Sequence, residues 1–163
     1  MVYPAISQNE SIKKLQAVVM IHENKGLNDY IIESANLVAR KQAVNDALLV
    51  VVMLETPAAI ANADAIAAVP GIDVLLIGTN DLTTEMGIPG KLDTPEVVKA
   101  YETVIAACRK HGKWAGMGGV YVPPLMEKYI GMGVRMILSG SDFSFLMEMA
   151  RGRAAFLRGV KLA

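Results

Sequence analysis

Ala47-Leu48-Leu49-Val50-Val51-Val52-Met53-Leu54, followed at once by Glu55-Thr56-Pro57, decides the fold. The run is strand length and has no polar interruption, the pattern of a strand covered on both faces rather than on one. Thr56 and Pro57 then supply an N-cap and a first-turn proline, so a helix opens two residues after the strand ends. A covered strand feeding directly into a helix is the repeating unit of a parallel sheet.

Working outward from this unit, the same alternation recurs. Further strands are expected at Ala17–Ile21, Val74–Ile77, Lys113–Met117 and Arg135–Leu138. Helices are expected at Pro57–Ala68, at Glu96–Lys110 (opened by Thr94–Pro95 and closed by Gly112), at Pro123–Ile130, and at Phe143–Arg158 behind a Ser141–Asp142 cap. A short helix is expected over Asn28–Arg40. The fold class is therefore α/β: a five-stranded parallel sheet with helices, arranged as half of a (βα)8 barrel or in a flavodoxin-like order. Residues 1–163 are read as one α/β domain.

Composition narrows the function classes. The chain has 163 residues, of which 53% are hydrophobic, and 16 basic residues balance 16 acidic ones. A neutral balance gives no electrostatic reason to expect nucleic acid or an anionic membrane as partner. The single cysteine, Cys108, excludes an internal disulfide framework and fits a reducing, cytoplasmic setting. No secretory leader is legible, and Ala17–Ile21 is far too short to span a bilayer.

In a parallel sheet the C-terminal ends of the strands share one edge, where active sites collect. Glu55 closes the strand Ala47–Leu54, and Asp81 follows Ile77 across Gly78-Thr79-Asn80. If the two strands are neighbours, both carboxylates meet at that edge. Two hard oxygen ligands suit Mg²⁺, Mn²⁺ or Co²⁺ better than a soft-ligand zinc site. Asp81 could equally cap a short helix starting at Leu82.

Several motifs from about Asn45 to Leu162 occur together and in order: Leu54-Glu55-Thr56-Pro57, Ala61-Asn62-Ala63-Asp64, Pro70-Gly71-Ile72-Asp73 leading to Ile77-Gly78-Thr79-Asn80-Asp81-Leu82, Gly87-Ile88-Pro89-Gly90, Gly116-Met117-Gly118-Gly119 and Ser139-Gly140-Ser141-Asp142. This stretch resembles the HpcH/HpaI family of 4-hydroxy-2-oxoheptanedioate aldolases, and its motifs correspond to the last four βα units of the family's barrel. The resemblance implies a class II aldolase that binds a small 2-oxo acid, pyruvate, on a divalent metal and joins it reversibly to an aldehyde. It also implies that Glu55 and Asp81 are the metal ligands, and that Gly78 and Asn80 hold the pyruvate carboxylate through backbone N–H groups. A glycine at 78 lets backbone approach that carboxylate closely.

The beginning of the chain resembles something else. Ala17-Val18-Val19-Met20-Ile21-His22-Glu23-Asn24-Lys25-Gly26-Leu27-Asn28 is similar to an early strand and turn of dienelactone hydrolases. Residues 1–42 are thus read as a hydrolase-like βα segment and 45–163 as an aldolase-like half barrel, with a seam at Arg40–Asp46. The family's catalytic histidine and substrate-clamping arginine belong to the barrel half not matched here. His22 is the candidate replacement base, since an imidazole titrates near neutrality, against the alternative of a turn histidine bonded to its neighbours. Glu23 could be a third ligand or a surface residue.

The remaining candidates have structural readings. His111 at a helix end is a capping residue, and Cys108 a small buried hydrophobe. Met117, Met132 and Met136 are core filler, and Trp114 and Met117 are expected in the core rather than at a pocket mouth. A half barrel leaves open edges and an inner face lined with Val and Leu, so a homo-oligomer is expected, formed by paired edges or by exchange of Phe143–Arg158. Two functions compete: a metal-dependent lyase, and a catalytically silent domain that retains metal or oxo-acid binding.

Overall fold

The computed structural model describes the backbone of residues 17–23 and the whole of residues 48–161. Five strands, β1 (Ala17–Glu23), β2 (Leu48–Leu54), β3 (Val74–Gly78), β4 (Trp114–Gly118) and β5 (Val134–Ile137), form one sheet in the order β1-β2-β3-β4-β5. Every pairing is parallel. This sequential order settles the choice between architectures. A flavodoxin-like sheet reverses its winding beside the first strand and so acquires helices on both faces, whereas steady winding in one direction with right-handed crossovers puts the helices on one face, as in a barrel wall.

The core confirms this layering. One cluster joins Val52, Leu54, Leu75, Ile77, Ala115 and Met117 to helix residues such as Ile60, Ile66, Val104 and Tyr129. The alternate strand residues Val51, Met53, Val74, Leu76 and Met136 form a second cluster that contains strand residues only. The inner face is not left open as the sequence led one to expect: Val51 and Leu76 are fully buried. Gly116 and Gly118 on β4 leave room for Leu76 to lean across the inner face. A Cβ at Gly116 would lie 3.1 Å from Leu76 Cβ, and one at Gly118 would lie 3.3 Å from both Leu76 and Leu138. Small residues on one strand let large ones lean across from the next, the size alternation that fills barrel interiors.

Six helices lie within the described residues: α1 (Pro57–Ala61), α2 (Ala63–Ala67), α3 (Thr79–Glu85), α4 (Pro95–His111), α5 (Pro123–Met132) and α6 (Asp142–Arg158). The helix expected over Pro57–Ala68 is two short ones, broken at Asn62. The Asn62 amide side chain donates to the Ala58 carbonyl at 3.0 Å, and such local bonds compete with a continuous helix. Thr56 caps α1 by accepting from the Ala59 N–H, Gly112 closes α4 in the left-handed conformation at φ 65°, and Ser141 opens α6 in a reciprocal capping box with Ser144. The segments Asn28–Arg40 and Arg40–Asp46 lie outside the described residues.

One burial expectation needs correction. Trp114 is 55% exposed, because it starts β4 at the edge opposite the strand C-termini, beyond the reach of the inner cluster. The large apolar side chains open to solvent lie mainly on α6: Phe143, Leu146 and Met149 are each about two-thirds exposed or more, and no residue of α6 is buried. Met117 and Met136 are buried as expected, and Cys108 lies in the helix-side core.

Candidate active site

The C-terminal ends of β2 and β3 are adjacent, with Leu54 in register with Ile77. The residues that follow, Glu55 and Gly78, therefore stand side by side. Glu55 is only 6% exposed, unusual for a carboxylate. Its side chain is folded over Gly78: a Cβ there would lie 2.8 Å from Glu55 Cγ and 3.0 Å from Oε1. Any side chain at 78 would force the Glu55 side chain to move.

From Gly78 the chain enters α3 without a linker. Gly78 is the N-cap, Thr79 the first helical residue, and Asn80 and Asp81 complete the first turn. Asp81 therefore does not cap a helix beginning at Leu82; it lies inside the turn, where a negative charge complements the helix dipole. Asn80 and Asp81 are exposed, whereas Thr79 is completely buried. Asn80 lies against the next strand end, since a Cβ on Gly119 (φ +79°) would come within 2.9 Å of Asn80 Nδ2. The rim thus carries a buried carboxylate, a glycine pressed beneath it and an exposed carboxylate one turn on, with Asn80 lying against Gly119 after β4.

Hydroxyl groups hold this turn from below. Thr83 Oγ1 and Thr84 Oγ1 both donate to the Asn80 carbonyl, at 3.0 and 2.9 Å. Thr79 Oγ1 is 2.7 Å from the Tyr101 hydroxyl in the interior. Sequence reasoning missed Tyr101; its signal was a phenol on the apolar stripe of α4, which needs a polar partner once buried.

Of the sequence-derived candidates, Glu55, Gly78, Asn80 and Asp81 are brought to one rim. His22 and Glu23 belong to β1, in register with Met53 and Leu54, so their backbone reaches the same end of the sheet; their side chains are outside the described residues. His111 is elsewhere, with Nε2 2.9 Å from Asp64 Oδ1, while Lys110 Nζ lies 2.8 Å from the other oxygen. These contacts hold the Asp64 carboxyl below the usual range, the Lys110 hydrogen bond most of all. They join α4 to α2 on the outer surface and do not belong to the rim.

A hard cation is compatible with what the rim presents. The candidate donors are carboxylate oxygens, which suit Mg²⁺-like ions, and the buried Glu55 side chain lies directly over Gly78.

A parallel wall of sequential βα units, each strand beside the next, is the architecture of a barrel-type α/β fold. Comparison with known sequences identifies it further. The sequence model of the HpcH/HpaI aldolase/citrate lyase family matches residues 1–148, and the chain belongs to that family. It is 40% identical over 115 residues to a 4-hydroxy-4-methyl-2-oxoglutarate aldolase of Hapsidospora irregularis, a match covering 69% of this chain and 43% of that protein. It is 37% identical over 111 residues to the 4-hydroxy-2-oxo-heptane-1,7-dioate aldolase of Salmonella paratyphi C, covering 68% and 42%. Among solved structures, an HpcH/HpaI aldolase/citrate lyase family protein from Burkholderia cenocepacia superposes with a TM-score of 0.74 at 22% identity, over 87% of this chain and 65% of the other, a likeness of fold. The chain spans about two fifths of the length of these curated relatives.

Proposed function

We propose that the chain carries the metal- and oxo-acid-binding rim of a class II pyruvate aldolase, a carbon–carbon lyase that cleaves a 4-hydroxy-2-oxo acid reversibly to pyruvate and an aldehyde. The observation that carries the reading is the buried Glu55 carboxyl folded onto Gly78, at the head of the turn that bears Asp81. Names of relatives at 37–40% identity, all aldolases of oxo acids, support it.

On this reading Glu55 and Asp81 hold a divalent ion, Mg²⁺, Mn²⁺ or Co²⁺. When bound, that ion supplies Lewis-acid stabilisation of the charge that develops on the substrate's keto oxygen as the carbon–carbon bond breaks. Gly78 and Asn80 orient the oxo-acid carboxylate through backbone N–H groups. His22 is the general base that takes the proton of the 4-hydroxyl group in cleavage and returns it in condensation. The parallel register of β1 with β2 supports that role, since it brings His22 to the strand end that Glu55 follows.

Residues 1–163 act as one α/β domain, and the dienelactone-hydrolase-like segment 1–42 contributes a strand to the sheet rather than a second activity. The apolar residues exposed on α6 support self-association, with α6 exchanged between copies. The partner is a small 2-oxo acid; nucleic acid and membrane are not partners. A cytoplasmic setting is supported by a lone, buried Cys108, and among the described residues no helix is long and apolar enough to cross a membrane.

The test is a coupled assay of pyruvate release from a 4-hydroxy-2-oxo acid, with added Mn²⁺ and then EDTA, alongside calorimetry of Mn²⁺ binding. Metal-dependent release that disappears in Glu55→Gln is expected. Binding without release would instead establish a silent domain, and absence of both would end the proposal.

A further inference from the structure

Thr79 and Tyr101 form a buried hydroxyl pair beneath the turn proposed above to bind metal and oxo acid. Both residues are completely inaccessible to solvent, and their oxygens are 2.7 Å apart. Thr79 lies between Gly78 and the exposed pair Asn80 and Asp81, so its side chain points into the protein while its neighbours reach the rim. Tyr101 is itself held. Its ring stacks on Tyr129 of α5, with centroids 3.8 Å apart and planes within 16°, and the Tyr129 hydroxyl donates to the Leu92 carbonyl at 2.6 Å.

The chain of contacts therefore runs from α5 through α4 to the first residue of α3. Burial pushes the Tyr101 phenol well above its ordinary titration range, so the hydroxyl stays protonated wherever the protein is folded and active. A buried hydroxyl without a partner is costly, so each member of the pair fixes the other. Thr83 and Thr84 donate to the Asn80 carbonyl from the helix's own next turn, and Thr83 Oγ1 also accepts from the Gly90 N–H at 3.3 Å. Among the described residues, Thr79 ties the first turn of α3 by a side-chain bond to α4.

The geometry points to Tyr101 and Thr79 as positioning residues that set the turn Gly78-Thr79-Asn80-Asp81 for a divalent cation and a 2-oxo acid, acting from a layer that neither ligand touches. The inference rests on the metal-binding reading of Glu55 and Asp81, and the experiment separates the two. Three single variants of the full chain, Tyr101→Phe, Thr79→Val and Thr79→Ser, and the double variant Tyr101→Phe/Thr79→Val are compared with wild type. Two quantities are read: Mn²⁺ affinity by electron paramagnetic resonance, and hydrogen exchange of the amides of residues 79–82 against those of residues 75–77 in β3.

Tyr101→Phe and Thr79→Val should each weaken Mn²⁺ binding and speed exchange at residues 79–82 by about three- to tenfold, the worth of one buried hydrogen bond, with β3 exchange unchanged. Thr79→Ser, which keeps the hydroxyl, should behave as wild type. The double variant should be little worse than either single one, because both remove the same bond. Wild-type Mn²⁺ affinity in Tyr101→Phe and Thr79→Val, with Asp81→Asn still losing the ion, would overturn the positioning role and leave the metal site standing. Failure of the wild-type chain to bind Mn²⁺ would overturn the metal site, and an exchange response in that case would reduce the pair to a structural bond.

Discussion

Gly78→Ala is the sharpest perturbation of the rim, since it adds one methyl group at a point where the neighbours are known. The new Cβ would stand 2.8 Å from Glu55 Cγ, 3.0 Å from Oε1 and 3.4 Å from Cδ. Relaxed carbon pairs sit about 3.5–4.0 Å apart, so the Glu55 side chain must withdraw by on the order of 0.7–1.2 Å. It is buried, and overpacking of this kind costs about 1–3 kcal/mol. For a chain of this size that lowers the Tm by about 2–4 °C for each kcal/mol. With Glu55 as the metal ligand proposed above, Mn²⁺ affinity should fall by about 10- to 100-fold, the range seen when the supports of a ligand are altered. Thermal unfolding and calorimetry read the two effects. The cycle with Glu55→Ala isolates the contact: in that background the added methyl no longer meets Glu55 Cγ, Cδ or Oε1, so most of the stability loss should vanish. An equal loss of stability in both backgrounds would refute the reasoning.

Other substitutions and conditions have equally definite outcomes. Gly131→Ala, in α5 with nothing within 4 Å of the new Cβ, should stabilise the protein by about 0.5–1 kcal/mol, whereas Gly133→Ala, at φ 133° against Arg109 and Ile105, should destabilise it; urea midpoints decide both. Burial pushes the Cys108 thiol up to about 11 and the Tyr129 phenol up to about 12. Because the folded state holds these protons more tightly than the unfolded chain, stability is complete below about pH 9 and declines as pH rises through 9–12, read as urea midpoints at pH 8 and 10.5. At pH 8 the native thiol should accordingly react slowly with a disulfide reagent and fast once unfolded. Leu146→Glu with Met149→Glu should lower the mass in solution, measured by light scattering, if α6 covers a second copy.

Much of the fold was legible because it rests on local signals. Unbroken runs such as Ala47–Leu54 and Val74–Ile77 identify covered strands within a residue or two of Leu48–Leu54 and Val74–Gly78, and Thr56, Gly112 and Ser141 mark helix ends by chemistry that needs no tertiary context. Strand order was not legible, since an apolar run covered on both faces does not reveal its neighbour. The break at Asn62 was hidden because one amide side chain had to compete with the backbone. At the rim, Glu55 and Asp81 could be found from strand-end position and motif. The Thr79–Tyr101 bond could not, because it joins residues 22 apart through packing that no local pattern encodes. Trp114 misled because aromatic bulk argues for burial, while its place at the first residue of β4 governs the outcome.

The strand order also bears on how the chain acquires its shape during synthesis. Each strand pairs with its immediate successor, so every new βα unit finds its docking site already made by the unit before it. Such growth needs only modest loop closures and keeps the newest edge as the one awaiting a partner. A ribosome releasing these strands would thus extend the wall one stave at a time, from β1 toward β5.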